Sequence, residues 1–307
     1  MTNKYYPEGA FYGAERYEYT QSIALLEKAK EEGLILEGRA VLCDLMHNLH
    51  VEIGEYRGII PRDEVLYCPT GEAVKDIAII TRVGKSVCFK VQEIEPEEDG
   101  VRIVLSRRAA QKECCENYIS RLEAGDIIDA TVTHMEQFGA FCDIGCGMVA
   151  LMPVDCISVS RISHPSERFL LGQKIKCVVK NTDSEICRVT LSHKELLGTW
   201  EENALLFSAG ETVAGIVRSV EGYGIFVELT PNLAGLAEWC DGVSVGQTVA
   251  VYIKSIIPEK MKIKLVIVGA SDEYCEPEKI QYSIDTQHID VWRYSPEGCR
   301  KEVYTEF

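Results

Sequence analysis

Gln137-Phe-Gly-Ala-Phe-Cys-Asp-Ile-Gly145 places two aromatic residues three positions apart around a glycine, and the chain repeats the arrangement at nearly constant pitch. At Gly222-Tyr-Gly-Ile-Phe-Val-Glu-Leu229 the rings are Tyr223 and Phe226, 85 positions after Phe138 and Phe141. A fainter echo, His47-Asn-Leu-His-Val-Glu-Ile-Gly54, lies 91 positions before and offers His47 and His50 instead. Further anchors keep the same order. Gly58-Ile-Ile-Pro61 matches Ala150-Leu-Met-Pro153, Val83-Gly-Lys85 matches Leu171-Gly-Gln173, and Arg102-Ile-Val-Leu-Ser106 matches Arg188-Val-Thr-Leu-Ser192. In the last copy Leu236 and Lys262-Ile-Lys-Leu265 fill the equivalent slots. A period of roughly 75 to 90 residues exceeds that of a solenoid unit, so the copies are tandem domains, each with its own core.

Within each copy, five short runs of alternating polar and apolar residues are separated by Gly, Pro and acidic clusters, the pattern of strands. A Gly-rich early hairpin followed by three more strands suits a closed oligonucleotide/oligosaccharide-binding (OB) barrel. The expected architecture is therefore mainly β, with three tandem five-stranded OB-type barrels joined by short helical connectors. An N-terminal extension and amphipathic helix occupy 1–34, barrels 35–108, 122–194 and 208–269, and connectors 109–121 and 195–207. Residues 270–307, with Tyr282, Trp292, Tyr294, Tyr304 and Phe307, read as a hairpin turning at Ser295-Pro-Glu-Gly298. An isolated hairpin is only marginally stable, so so many aromatics imply docking on a neighbouring surface.

The chain has 307 residues and a net charge of −16, which disfavours a general attraction to polyanions; any such binding rests on local cations and stacking. Thirteen cysteines, scattered without a CxxC pair, argue against a metal site or a disulfide framework. No charged leader or run of eighteen apolar residues occurs, so neither secretion nor a membrane span is expected and a reducing cytoplasm fits. No nucleophile elbow, P-loop, zinc spacing or catalytic carboxylate pair stands out, so neither an enzyme nor a cofactor is expected.

Taken in order, Gly125-Asp-Ile, Phe138-Gly-Ala-Phe141-Cys-Asp, Arg161-Ile-Ser-His164-Pro, Gly172-Gln, Asp183 and Arg188-Val-Thr-Leu-Ser192 resemble the RNA-binding domain of bacterial ribosomal protein S1. The match is close in the middle copy, good in the third and recognisable in the first only through its neighbours. The resemblance implies an OB-type barrel that binds single-stranded RNA, mRNA in particular, with the small ribosomal subunit as a partner. DNA and membranes are not expected partners. Phe138 and Phe141 fit an aromatic platform for unstacked bases, presented on one side where the strand bends or bulges at Gly139. Asp183 and Arg188 occupy the family's Asp and Arg positions, with Lys176, Arg161 and His164 as further contacts. Tyr223, Phe226 and Lys262 are the third-copy counterparts, whereas His47, His50, Glu95 and Arg102 form a degenerate first-copy site.

The departures from the family pattern are informative. A histidine usual after the third strand is replaced by Pro61, Pro153 and Glu238, and the family Asp becomes Glu95 in the first copy and Ile257 in the third. The net charges of 35–106, 122–198 and 208–270 are −5, −3 and −1, so RNA affinity is expected to rise toward the last two copies. His47 and His50 lack an evident third metal ligand. The basic stretch Arg107, Arg108, Lys112 and Arg121 is expected to pair with acids such as Glu113 and Glu116 rather than with phosphate, and Trp200 and Trp239 to pack between domains. The alternatives are a protein-interaction scaffold built on degenerate barrels and an RNA-decay or transcription accessory factor.

Overall fold

The computed structural model describes residues 5–9, 17–98, 100–271 and 280–307, so part of the N-terminal extension lies outside them. Three closed five-stranded barrels follow one another. The first comprises β1 (Leu36–Cys43), β2 (Leu49–Ile53), β3 (Tyr56–Ile60), β4 (Ser86–Glu97) and β5 (Gly100–Ser106). The middle barrel comprises β6 (Ile127–Glu136), β7 (Gly139–Asp143), β8 (Val149–Pro153), β9 (Lys174–Asp183) and β10 (Arg188–Ser192). The third comprises β11 (Thr212–Glu221), β12 (Gly224–Thr230), β13 (Leu233–Ala237), β14 (Thr248–Ile257) and β15 (Lys262–Ser271). Each closes in the same way: the first three strands form a meander, and the third strand pairs in parallel with the fifth.

Strand alternation decides which residues enter each core. In β2, Leu49, Val51 and Ile53 are buried while His50 and Glu52 turn outward. Each barrel also carries a register shift in its first strand, at Ala40/Leu42, Val132/His134 and Val217/Ser219. Such bulges increase local twist and help a short sheet close.

Helices α1 (Ile23–Glu31) and α2 (Asp76–Ile80) belong to the first barrel. The Ser22 hydroxyl caps α1 by accepting from the Leu25 N–H, and Leu26 and Ala29 enter the first core. Helix α3 (Arg107–Asn117) starts at Arg107, because Ser106 caps it. The second connector is not the continuous helix the sequence suggests. Gly198, at φ +83°, separates a 3-10 turn, Lys194–Leu197, from α4 (Trp200–Ala204), which Thr199 and Glu202 cap reciprocally.

The cysteines also depart from expectation at one pair. Cys115 of α3 and Cys187, in the β9–β10 turn, are joined as a disulfide with their Cα atoms 6.1 Å apart. Near the C-terminus β16 (Val291–Arg293) pairs with β17 (Tyr304–Glu306). Trp292 and Tyr294 sit with Trp200 in the third core, and the Tyr294 hydroxyl donates to the Asn232 carbonyl at 2.5 Å. Upstream of that hairpin the chain lies on the middle barrel: the Lys176 N–H donates to the Tyr282 hydroxyl at 2.8 Å, and His288 pairs with Asp126 at 2.8 Å. Among the described residues no helix is long and apolar enough to cross a membrane.

Candidate nucleic-acid interface

The two rings of the middle barrel reach one surface by a route different from the expected one. Glu136 is opposite Gly139, so Gln137 and Phe138 form a two-residue turn, and Phe138 stands at its tip, 57% exposed. Phe141 faces outward from β7. The bulge lies in the opposing strand, between Val132 and His134, and not at Gly139. Gly139 answers a steric demand instead, because a Cβ there would meet the Met152 carbonyl oxygen at 2.4 Å. The ring centroids of Phe138 and Phe141 are 5.8 Å apart at an interplanar angle of 89°.

The third barrel reproduces this geometry. Tyr223 is in the turn, 71% exposed, with Phe226 on β12, their centroids 6.2 Å apart at 88°. In both barrels the inner ring is half buried while the outer one is open, an arrangement in which a base can stack without further opening of the structure. The middle barrel adds a third ring: the His134 imidazole stacks on Phe141 at 5.8 Å and pairs with Glu136 at 2.7 Å.

Strand pairing shows what lies beside each platform. Across the middle barrel the outward row is His134, Phe141, Leu151 and Thr190. In the third it is Ser219, Phe226, Leu236 and Lys264, which brings a cation into line with the aromatic. Sequence reasoning chose Lys262, which pairs with Ile257 at the end of the barrel, and missed Lys264. It missed His134 as well. Register across strands, which the linear sequence does not display, is the signal that finds both.

Asp183 and Arg188 are direct partners at the β9–β10 turn, both exposed. Arg188 is two residues from Thr190, and so stands on the face that carries Phe141. Lys176 is not brought to this group. It lies opposite Asp129, seven residues or roughly 23 Å along β9 from Asp183, beside Tyr282. His164 serves the local fold: its Nδ1 accepts from the Ser166 N–H at 3.1 Å and caps the short turn Pro165–Glu167. Arg161 is exposed in the loop after β8 and, among the described residues, makes no ion pair.

The first-barrel residues hold a different arrangement. His47 has φ +61° and lies 3.9 Å from Asp76, which pairs with Arg62 at 2.7 Å; His50 lies 3.4 Å from Asp44. Asn48 and Arg62 complete the knot, with the Arg62 N–H donating to the Asn48 side-chain oxygen. Both imidazoles are only partly exposed and are turned toward carboxylates. The corresponding row is Leu42, His50, Ile59 and Val104, of which Val104 is buried, and Arg102 is partnered by Glu95 at 3.5 Å. The tip of the β1–β2 turn instead presents Leu45 and Met46, 98% and 74% exposed.

The basic stretch on α3 is engaged in the protein itself. Arg107 is buried against the Glu8 carboxylate, Arg108 lies 3.6 Å from Glu64, and Lys112 pairs with Glu116 at 3.8 Å. Trp200 is a core residue of the third barrel, and Trp239 is largely exposed.

The family of the S1 RNA binding domain matches residues 121–194, which contain the whole middle barrel. The middle barrel is an S1 RNA binding domain. The chain is also 30% identical over 226 residues to small ribosomal subunit protein bS1 of Staphylococcus aureus (strain COL), covering 71% of this chain and 54% of that protein. To the small ribosomal subunit protein bS1 homolog of Bacillus cereus (strain ATCC 10987 / NRS 248) it is 31% identical over 210 residues, covering 62% and 53%. This S1 domain protein is thus a relative of bacterial ribosomal protein S1, and it spans about half the length of the curated relatives it matches. A multidomain protein with nucleic acid binding domains from Streptococcus pneumoniae aligns at 15% identity over 80% of this chain and 76% of that one, with a TM-score of 0.25, at which the likeness decides nothing.

Proposed function

We propose that this protein binds single-stranded RNA through the aromatic platforms of its middle and third barrels and engages mRNA at the small ribosomal subunit in the cytoplasm, without catalysing a reaction. The observation that carries this reading is the repeated pair of perpendicular rings, open at the outer ring and alike in two barrels. Stacking on such rings accepts any base, which suits a general mRNA binder. The S1 match of the middle barrel and the relatives' names, small ribosomal subunit protein bS1, support the RNA and the ribosomal partner. Asp183, Arg188, Arg161 and the lysines near β15 supply the polar contacts, and the overall charge of −16 makes binding depend on these few cations.

The first barrel favours a protein contact over RNA. Its histidines are tied to carboxylates, its corresponding row is largely apolar, and Leu45 and Met46 project from its tip. Fluorescence-anisotropy titration of a single-stranded RNA tests the principal reading. Replacing Phe138 and Phe141 together by Ala is expected to weaken binding at least about tenfold, since stacking contributes about 1–3 kcal/mol per base. Unchanged affinity would remove the platform from the mechanism. Retention of ribosomal partners after ribonuclease digestion reports separately on the first barrel.

A further inference from the structure

The middle and third barrels meet at the loop after β8, which contacts Glu228, Pro231 and Asn232 of the third barrel. The loop after β8 forms a cleft of about 490 Å³, lined by Gln137, Asp155, Ser158, Ser160, Arg161 and Ser163 among others. One wall is the turn that carries Phe138, since Gln137 precedes that ring and the Val154 N–H donates to the Phe138 carbonyl at 2.9 Å. The loop itself is pinned to the third barrel. The Ser160 N–H donates to the Pro231 carbonyl at 3.0 Å, and the Val159 N–H to the Asn232 side-chain oxygen at 3.0 Å. Farther along the same loop, Arg168 donates to Glu228 at 2.5 Å, and Glu167 pairs with Arg218, which itself holds Glu228 at 2.7 Å. Glu228 lies two residues from Phe226 on the outward side of β12, roughly 7 Å along the strand. A fixed stretch of protein therefore leads from one aromatic platform, through the cleft, to the edge of the other.

The side chains in the cleft suit a nucleotide. Arg161 is exposed there and makes no ion pair among the described residues, so its guanidinium is available for a phosphodiester. Gln137 offers both a donor and an acceptor to a base edge, and the Asp155 carboxylate accepts from the amino group of a base. Arg168 and Arg218, by contrast, are committed to Glu228 and Glu167 and hold the two barrels in register.

We infer that this cleft is a nucleotide subsite through which one single RNA strand passes from the middle platform to the third, with Arg161 taking the phosphodiester between them. The inference rests on the RNA-binding reading above and adds the path of the strand to it. Two platforms held by a rigid junction act on one strand without the entropy cost of bringing separate domains together, so the affinity for a spanning strand exceeds that for a short one.

The test compares the full chain with its Arg161→Ala and Arg161→Lys variants, using a single-stranded RNA of about 5 nucleotides, enough for one barrel, and one of about 20, enough for two. The wild type is expected to bind the long strand one to one and at least about tenfold tighter than the short one. Arg161→Ala is expected to weaken the long strand about fivefold and to reduce the salt slope by about 0.7, the value of one phosphate on a single strand, while Arg161→Lys retains most of both. A long strand with uncharged methylphosphonate linkages at its centre should bind wild type and Arg161→Ala alike. Equal affinity of wild type and Arg161→Ala for the natural long strand, or the absence of any advantage for the long strand, overturns the subsite while leaving the separate platforms intact. Failure of the wild type to bind either RNA overturns the parent reading, and this one with it.

Discussion

His193 shows how the fold treats a single titratable group. It follows β10 at the position that Arg107 holds after β5, and it is buried between Phe169 and Tyr282, whose rings meet it edge-on at 5.1 and 5.7 Å. Its Nδ1 lies 3.2 Å from the Ile157 carbonyl, whereas Nε2 is buried without a partner among the described residues. Burial lowers its pKa from 6.5 to about 4. The folded protein keeps the ring neutral at pH values where the unfolded chain already takes up a proton. Between about 6.5 and 4 the unfolded state therefore binds more protons, and stability falls as pH falls through that window. The shift corresponds to about 3 kcal/mol. Urea unfolding of the wild type should lose roughly that much more than His193→Asn between neutral pH and the lower end of the window; parallel pH profiles would show that His193 is not the group responsible. The sequence carried no sign of this burial, because Leu191-Ser-His193 reads equally well as a strand end leading into a solvated connector.

At the scale of elements, the junctions follow a rule repeated along the chain. The carboxylate two residues beyond each inner ring, Asp143 after Phe141 and Glu228 after Phe226, is held both by its own barrel and by an earlier segment of the chain. Asp143 accepts from the N–H groups of Glu8, Gly145 and Gly147 at 2.7, 2.8 and 3.1 Å, and burial followed by the Glu8 charge pushes its carboxyl up to about 8. Glu228 is held by Arg168 and Arg218. Glu228→Gln leaves the buried Arg168 guanidinium without its countercharge and Arg218 with Glu167 alone, and is expected to cost about 3–5 kcal/mol in chemical unfolding. Combining it with Arg168→Met should recover part of that loss; equal destabilisation in the single and double variants would mean that the acid acts through packing alone. The three barrels and their strand order were legible in the sequence, since strand alternation and the recurring Gly and Pro anchors are local signals. The junctions were not. Asp143 and Glu228 look like ordinary outward strand acids until the N-terminal segment and the middle barrel are in place against them, and the break at Gly198 is hidden by the helical spacing of Leu196, Leu197 and Trp200. The platforms were half legible: the spacing of the paired rings shows in the sequence, but their shared face comes from a turn at Phe138 and Tyr223, and His134 and Lys264 emerge only from register.

On the scale of the whole molecule, the segment from 280 to 307 turns two neighbouring barrels into one body. Tyr282 accepts from the Lys176 backbone and His288 binds Asp126 on the middle barrel, while Trp292 and Tyr294 complete the third core and the Trp200 N–H donates to the Tyr294 carbonyl at 3.0 Å. A small five-stranded barrel buries little surface of its own, so a tryptophan contributed from outside forms a considerable part of its core. Trp292→Ala should leave a cavity costing about 3–5 kcal/mol. Because the same segment also grips the middle barrel, the loss should extend beyond the site itself. In the wild type, calorimetric unfolding of the middle and third barrels is expected to be a single cooperative event. In Trp292→Ala the third barrel should unfold first, with proteolytic cleavage appearing in the α4–β11 connector around the exposed Leu205 and Leu206. RNA binding gives a second readout: the advantage of a strand long enough for both platforms should shrink in this variant, while binding at Phe138 and Phe141 persists. If the third barrel's transition does not move, the C-terminal segment does not contribute to its core in solution, and the fixed spacing of the two platforms must rest on the contacts that the loop after β8 makes with Arg218, Glu228, Pro231 and Asn232.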